Sequence, residues 1–253
     1  LQVYVIASSA VRSVFRFLRT RGPALAVIVL GLITIGLWLF ESRHEPDGLR
    51  PTSLNNLRFA ALASLQYATS NSDFLPPGGR ALDDAPRWSW QVQLLPYMDQ
   101  ERLYDRMDLD LPWDSERNRP WTSYPVSFWL NPEQRDPDSL GGIAITHQTA
   151  NSRVFGPRRS ASLAENSQSD GAAQTLMLGE IGAAFPPWAK PGNVRDPARG
   201  IGGGPEQWGR GDGSGCHVMF LGGNGRYLSP RIAPEVLELL ADPNNGVPDE
   251  NEF

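Results

Sequence analysis

LNNLRFAALASLQYATS, residues 54–70, is the stretch on which the fold turns. Leu54, Leu57, Ala61, Leu65 and Ala68 recur at spacings of three and four, with Leu62 beside them, which makes one side of a helix apolar. Thr52 or Ser53 supplies the N-cap. Phe74 and the Pro76-Pro77-Gly78-Gly79 turn lie beyond the helix end. Such a stripe needs a sheet to cover it.

Upstream, residues 41–53 (ESRHEPDGLRPTS) form a polar hinge through which Pro46, Gly48 and Pro51 let no helix run unbroken. Before it stands an uncharged apolar run, Ala24 to Phe40 (ALAVIVLGLITIGLWLF). As a helix this run covers roughly 26 Å, slightly under a bilayer core of ~30 Å. Pro23 fits its first turn, and Trp38 and Phe40 suit one membrane interface. Arg12, Arg16, Arg19 and Arg21 lie on the other side. The run exceeds a usual signal-peptide core, and its exit, LWLFESR, holds no A-x-A-like cleavage site. The expected organisation is a cytoplasmic basic segment (1–22), a transmembrane anchor (23–40), a hinge (41–53), an extracytoplasmic domain (54–245) and an acidic tail (246–253). The positive-inside rule places the N-terminus in the cytoplasm and the bulk of the chain outside the cytoplasmic (inner) membrane, as a single-pass protein.

A net charge of −5 and a pI near 5.3 argue against nucleic acid as a partner. The lone cysteine, Cys216, leaves no internal disulfide framework. Downstream of the helix, WSWQVQLLPYMDQERLYDRMDL reads as a short apolar helix or strand entering Pro96, then a helix over Met98 to Met107. LPWDSERNRPW is a loop anchored by Trp113 and Trp121, and YPVSFWLNP suggests a buried strand. Thr175 to Glu180 (TLMLGE) is a strand, and Pro186 to Gly215 a Gly/Pro-rich irregular loop. CHVMFLGGNGRYLS is a hairpin turning at Gly222-Gly223-Asn224-Gly225, and IAPEVLELLAD a short helix starting near Pro234. One long helix early and strands late make the class α+β.

Several landmarks come in a fixed order: the apolar run, LNNLRFAALASLQYA, FLPPGG, WSWQVQLLPYMDQERLYDRMDLDLPWDSERN, TLMLGE and GCHVMFLGGNGRYLS. In this the chain resembles the prepilin-like proteins, abundant in planctomycetes, that couple a type IV pilin-type methylation segment to a conserved domain of unknown function. The resemblance runs over about residues 54–245. It implies a pilin-like (type II secretion pseudopilin-like) core, with the long helix against an antiparallel sheet, and pseudopilin-like subunits or other envelope proteins as partners. The chain departs from that pattern in places. Gly22 is followed by Pro23, and Ala24 to Phe40 contains no acidic residue to serve as the assembly device of a pilin helix. The family's usual cysteines are replaced by Ser53 or Leu54 and by Asn131. A divergent member, unprocessed and kept as a tethered domain, is the expectation.

Chemistry-bearing constellations are few. Cys216 and His217 are adjacent, and neighbours on a strand face opposite sides, so a nucleophile–base pair is not expected. His44, His147 and His217 are scattered, without metal-ligand spacing. GIGGGPEQWGRGDGSG (200–215) lacks the Lys-Ser/Thr and the following helix of a phosphate-binding loop. Asp105, Asp108, Asp110 and Asp114 suit Ca²⁺ in chemistry but lack the EF-hand pattern, and a solvated face is preferred. No catalytic residue, metal or cofactor is therefore expected. Candidate ligand contacts are Trp88, Trp90, Trp113 and Trp121, with Trp88 and Trp90 sharing strand parity. Rings this large more often anchor loops to a core. The expected function is thus a non-enzymatic, membrane-anchored structural or interaction protein. The alternative is an extracytoplasmic carbohydrate- or solute-binding module that holds a glycan on its tryptophan-bearing loops.

Overall fold

The computed structural model describes residues 52–82, 85–133, 137–156, 160–163 and 172–244. The expected basic segment, membrane anchor, acidic tail and nearly all of the hinge lie outside them. Among the described residues no helix is long and apolar enough to cross a membrane.

Helix α1 runs Ser53–Ser70, and Thr52 caps it with its hydroxyl accepting from Asn55 N at 3.2 Å. Its buried face is made largely of small residues: Ala60, Ala61, Ala63, Ser64 and Ala68, with Leu57 and Asn56. Leu54 and Leu65 of the expected stripe are only half-buried, and Leu62 is exposed. Small side chains let the helix backbone approach the sheet closely, so the contact shifts toward the alanines.

After α1 come β1 (Gly79–Leu82) and β2 (Ala85–Ser89), an antiparallel pair. Next is α2 (Trp90–Leu94), capped by Ser89 through Val92 N at 3.3 Å, and a 3₁₀ turn over Leu95–Tyr97. The helix expected over Met98–Met107 contracts to α3 (Glu101–Tyr104). Asp99 holds a left-handed backbone (φ 54°) that stops the helix on one side. On the other side Arg106 and Met107 turn back to Leu103 and Tyr104 by three-residue bonds. After α4 (Arg119–Thr122), the expected strand in YPVSFWLNP is instead a 3₁₀ turn over Ser127–Trp129. Several carbonyls around this turn bond to side chains, while Trp129 O takes the His147 backbone N–H at 2.8 Å. Asn56 Nδ2 takes Ser127 O and Leu130 O, at 3.2 and 2.8 Å, and Gln148 Nε2 takes Phe128 O at 2.7 Å.

A small pair, β3 (Ser139–Leu140) and β4 (Ile143–Ala144), precedes the main sheet. That sheet comprises β5 (Gln148–Asn151), β6 (Leu176–Glu180), β7 (Val194–Arg195), β8 (Cys216–Phe220) and β9 (Gly225–Leu228) in the order β7-β5-β6-β8-β9. The expected antiparallel sheet is in fact mixed, because β7 returns parallel to β5. The expected hairpin β8–β9 and the helix α5 (Pro234–Ala241) are present. Both faces of the sheet are covered. Met177, Leu178, Met219 and Leu221 join the α1 side of the core. Leu176, Cys216, Val218, Phe220 and Leu228 pack with Ile201, Trp208 and α5 residues on the other side. A register shift between Leu176 and Leu178 lets consecutive residues Met177 and Leu178 join the same side. Gly179 has no alternative residue, since a Cβ there would come within 2.1 Å of the Trp208 ring.

Candidate functional site

Glu180 closes an otherwise apolar central strand, and its side chain is 0% exposed. A carboxylate in such a place must be paired and hydrogen-bonded. Ser53 Oγ, from the first residue of α1, donates to Oε1, and Asn131 Nδ2 donates to the same oxygen at 2.5 Å. Backbone N–H of His217, on β8, donates to Oε2 at 2.6 Å. The cation is Arg210, from the loop before β8, with Nε 3.4 Å from Oε2. Arg210 Nη2 reaches Glu133 at 2.6 Å, and Glu133 Oε1 accepts from Ser53 N at 3.1 Å. Burial alone would raise the Glu180 pKa, but the bonds from His217 and Ser53 and the Arg210 charge outweigh it and hold the carboxyl below its usual range. The same opposition, with Arg210 as the lowering partner, depresses Glu133. The two carboxylates in turn raise Arg210 against its own desolvation.

Beside this cluster, His147 Nδ1 accepts from Asn131 N at 3.0 Å, so its proton sits on Nε2, 2.9 Å from Pro137 O. That ring therefore helps fix the loop presenting Asn131 and Glu133. Ser53 is buried and its hydroxyl bonds directly to a carboxylate, a geometry that fixes the start of α1 to the sheet. The arrangement joins four separate parts of the chain: the head of α1, the 131–133 loop, β6, and the stretch from Arg210 to His217.

His217 and Cys216 do face opposite sides of β8: Cys216 is buried and the His217 ring is half-exposed against Tyr227. Burial, with the Glu180 charge adding to it, pushes the Cys216 thiol far above its ordinary range and keeps it protonated.

The four tryptophans named as ligand contacts are not brought together on one surface. Trp88 and Trp90 lie fully in the core, with indole N–H groups bonded to Leu109 O at 3.0 Å and Asn193 O at 2.8 Å. Their shared strand parity does not arise, because the strand ends at Ser89 and Trp90 opens α2; burial leaves neither ring a face for a ligand. Trp113 and Trp121 are half-buried, and the Arg106 guanidinium stands 5.1 Å over the Trp121 ring. The aspartate-rich loop is organised by Asn118, which bonds Asp108 N, Asp108 O and Pro112 O at 2.8–2.9 Å. Asp108 pairs with Arg117 at 3.3 Å. Among the described residues no group of three or more His, Cys, Asp or Glu could hold a metal ion.

Elsewhere Arg195 is held by four carbonyls, those of Ala183, Ala184, Gly204 and Gln207, at 2.7–3.3 Å. Desolvation pushes its pKa down to about 10, still charged at neutral pH. It staples the 183–184 segment just before the Gly/Pro-rich loop to the 204–207 stretch within that loop.

In the sequence Glu180 stands at the end of an expected strand, with no motif that marks it as a site residue. The signal available was a charge ending the apolar run Leu176 to Leu178. Ser53, Asn131, Glu133 and Arg210 gave no local sign.

Residues 50–167 match the model of a family described as a protein of unknown function (DUF1559). The match is consistent, over those residues, with the domain of unknown function expected from the ordered landmarks. The match includes α1 and, of the charged cluster, Ser53, Asn131, Glu133 and His147; it stops before Glu180, Arg210 and His217. No curated protein and no solved structure matches the chain.

Proposed function

We propose that the chain is a single-pass, pseudopilin-like protein of the cell envelope. It is anchored in the cytoplasmic membrane and is non-enzymatic, with a domain outside the membrane that makes protein contacts. The observation that carries this reading is the bonding of Ser53. A domain suspended from an N-terminal anchor is loaded at the residue where its first element begins. At that residue a buried carboxylate and a second, partly exposed one take the Ser53 hydroxyl and backbone N–H. The apolar run ends at Phe40, so about a dozen hinge residues would separate anchor and clasp, a reach of roughly 40 Å when extended.

Cell fractionation tests the reading. The full chain, tagged at its C-terminus, should stay with membranes through alkaline carbonate washing. Its tag should be digested by protease added from outside in spheroplasts. Release by carbonate, or a tag protected in intact spheroplasts, would overturn it.

The alternative, a glycan-binding module, draws on half-exposed Trp121 at the rim of a depression shared with Asp105, Glu116 and Arg117. It requires that a polysaccharide quench tryptophan emission and that Trp121→Ala abolish the quench. Silence across a panel of polysaccharides would remove it.

A further inference from the structure

Three half-buried tyrosines and two prolines surround a cleft of about 440 Å³: Tyr67 from the last turn of α1, Tyr97 and Pro96 from the 3₁₀ turn, Tyr104 from α3, and Pro77. Its frame is rigid. Tyr67 OH donates to Gln93 Oε1 at 3.1 Å, Gln93 Nε2 reaches Pro77 O at 3.4 Å, and Asn71 Nδ2 caps Tyr67 O at 2.7 Å. Tyr67 and Tyr97 meet edge to face, 5.8 Å between centroids. The amide donors lining the cleft are thus already engaged. The Tyr97 and Tyr104 hydroxyls, by contrast, bond to no other described residue.

The cleft continues past Pro96 and Tyr97 into a second one of about 430 Å³, floored by Phe59, Leu62 and Phe128. Phe59 and Leu62 are 53% and 55% exposed, unusual for large apolar side chains on a core helix. Among the described residues the one charged side chain lining either cleft is Asp99, exposed and in no ion pair with another described residue.

We propose that this groove binds an extended, proline-bearing peptide segment of a partner protein, with a basic residue beside its prolines. The occupant must be neutral along most of its length and apolar in body, and must offer acceptors to phenolic donors. A polyproline II segment meets all three conditions: its pyrrolidine rings insert between aromatic rings, and its carbonyls, which have no internal partners, accept from the hydroxyls. Asp99 supplies the complement for a lysine or arginine. A neutral glycan presents many hydroxyl donors, and the groove's amide groups are largely spent on its own frame. The inference deepens the reading of the domain as a protein-contact module by naming the partner's chemistry. Its test reads peptide affinity alone, so failure here leaves the membrane tether untouched.

The full chain in mild detergent would be titrated against a fluorescein-labelled polyproline peptide ending in arginine, followed by anisotropy. Saturable binding is expected. Tyr97→Ala should weaken it about tenfold. Tyr104→Phe, which keeps the ring and the packing, should weaken it severalfold with an unchanged melting temperature. Asp99→Asn should weaken the arginine-bearing peptide and leave an arginine-free one unaffected. No saturation up to roughly 1 mM would overturn the proposal. Equal binding of an alanine-for-proline peptide, indifference to both tyrosine substitutions, or displacement by a neutral oligosaccharide would do so equally.

Discussion

At the scale of single residues, Glu180 sets the molecule's response to acid. Its folded pKa is depressed, as is that of Glu133, relative to an unfolded glutamate near 4.3. The unfolded state therefore binds protons first as pH falls. The stabilisation is complete above about pH 4.3 and drains away as pH drops through the folded values. Thermal melts should be flat above roughly pH 5 and decline steeply below 4. Glu180→Gln should lower the neutral-pH midpoint and flatten that acid limb; an acid limb as steep as the parent's would refute the assignment. Arg210 carries the matching prediction. Arg210→Met strands a fully buried carboxylate and should cost about 3 kcal/mol in urea denaturation. Removing both charges in Glu180→Gln/Arg210→Met should cost less than the two single losses added together, the signature of a coupled pair. Strict additivity would mean that the 3.4 Å contact does little.

At the scale of elements, α5 is held less by its own propensity than by what reaches it from β5. Eight residues are too few for a helix to be stable alone. Asn151, fully buried, donates its amide both to Leu176 O at 2.7 Å and to Ala241 O at 2.8 Å, tying the helix end to the central strand. Arg153 forks between Asp196 and Glu238 two residues further on. Asn151→Ala leaves two buried carbonyls short of a donor and should cost about 2 kcal/mol. Amide exchange over Pro234–Ala241 should then speed up far more than over α1. Uniform acceleration along the chain would show that α5 is not a separate unit.

This bonding also marks what could be read from sequence. Helix α1, strand β6, the β8–β9 hairpin and α5 announce themselves through periodicity, a glycine-rich turn and a proline at a helix start. Each of those signals is local. The 3₁₀ turn at Ser127–Trp129 does not announce itself, because carbonyls around it are taken by amides from distant segments; the start of α2 has a local cap in Ser89, but Ser89 is itself placed by Trp188 O and Ala189 O, far along the chain. Asn56 lies 71 and 74 residues from the carbonyls it bonds. The Glu180 cluster is hidden for the same reason, with Ser53 127 residues away. An acidic residue ending an apolar strand was the one visible clue. Trp88 and Trp90 are both fully buried, as large rings that anchor loops to a core are, and the change from strand to helix between Ser89 and Trp90 removes only their shared parity.

At the scale of the whole domain, the question is whether two hydrophobic cores on opposite faces of one sheet melt together. Strands β6 and β8 contribute to both: Leu176, Val218 and Phe220 on one side, Met177, Leu178 and Met219 on the other. Neither face can lose its packing without stripping one side of the same two strands, so one cooperative transition is expected for residues 52–244. The tryptophans make this measurable. Trp88, Trp90, Trp129 and Trp188 are buried in the α1-side core, and Trp208 in the other. Urea unfolding of the full chain in mild detergent should give superimposable curves by tryptophan emission and by far-ultraviolet circular dichroism. Trp208→Phe reduces the volume against Gly179 and should shift both curves to lower urea together. A fluorescence transition that stays put while the dichroism moves would mean that the α5 side unfolds independently, and that β6 and β8 do not couple the two faces.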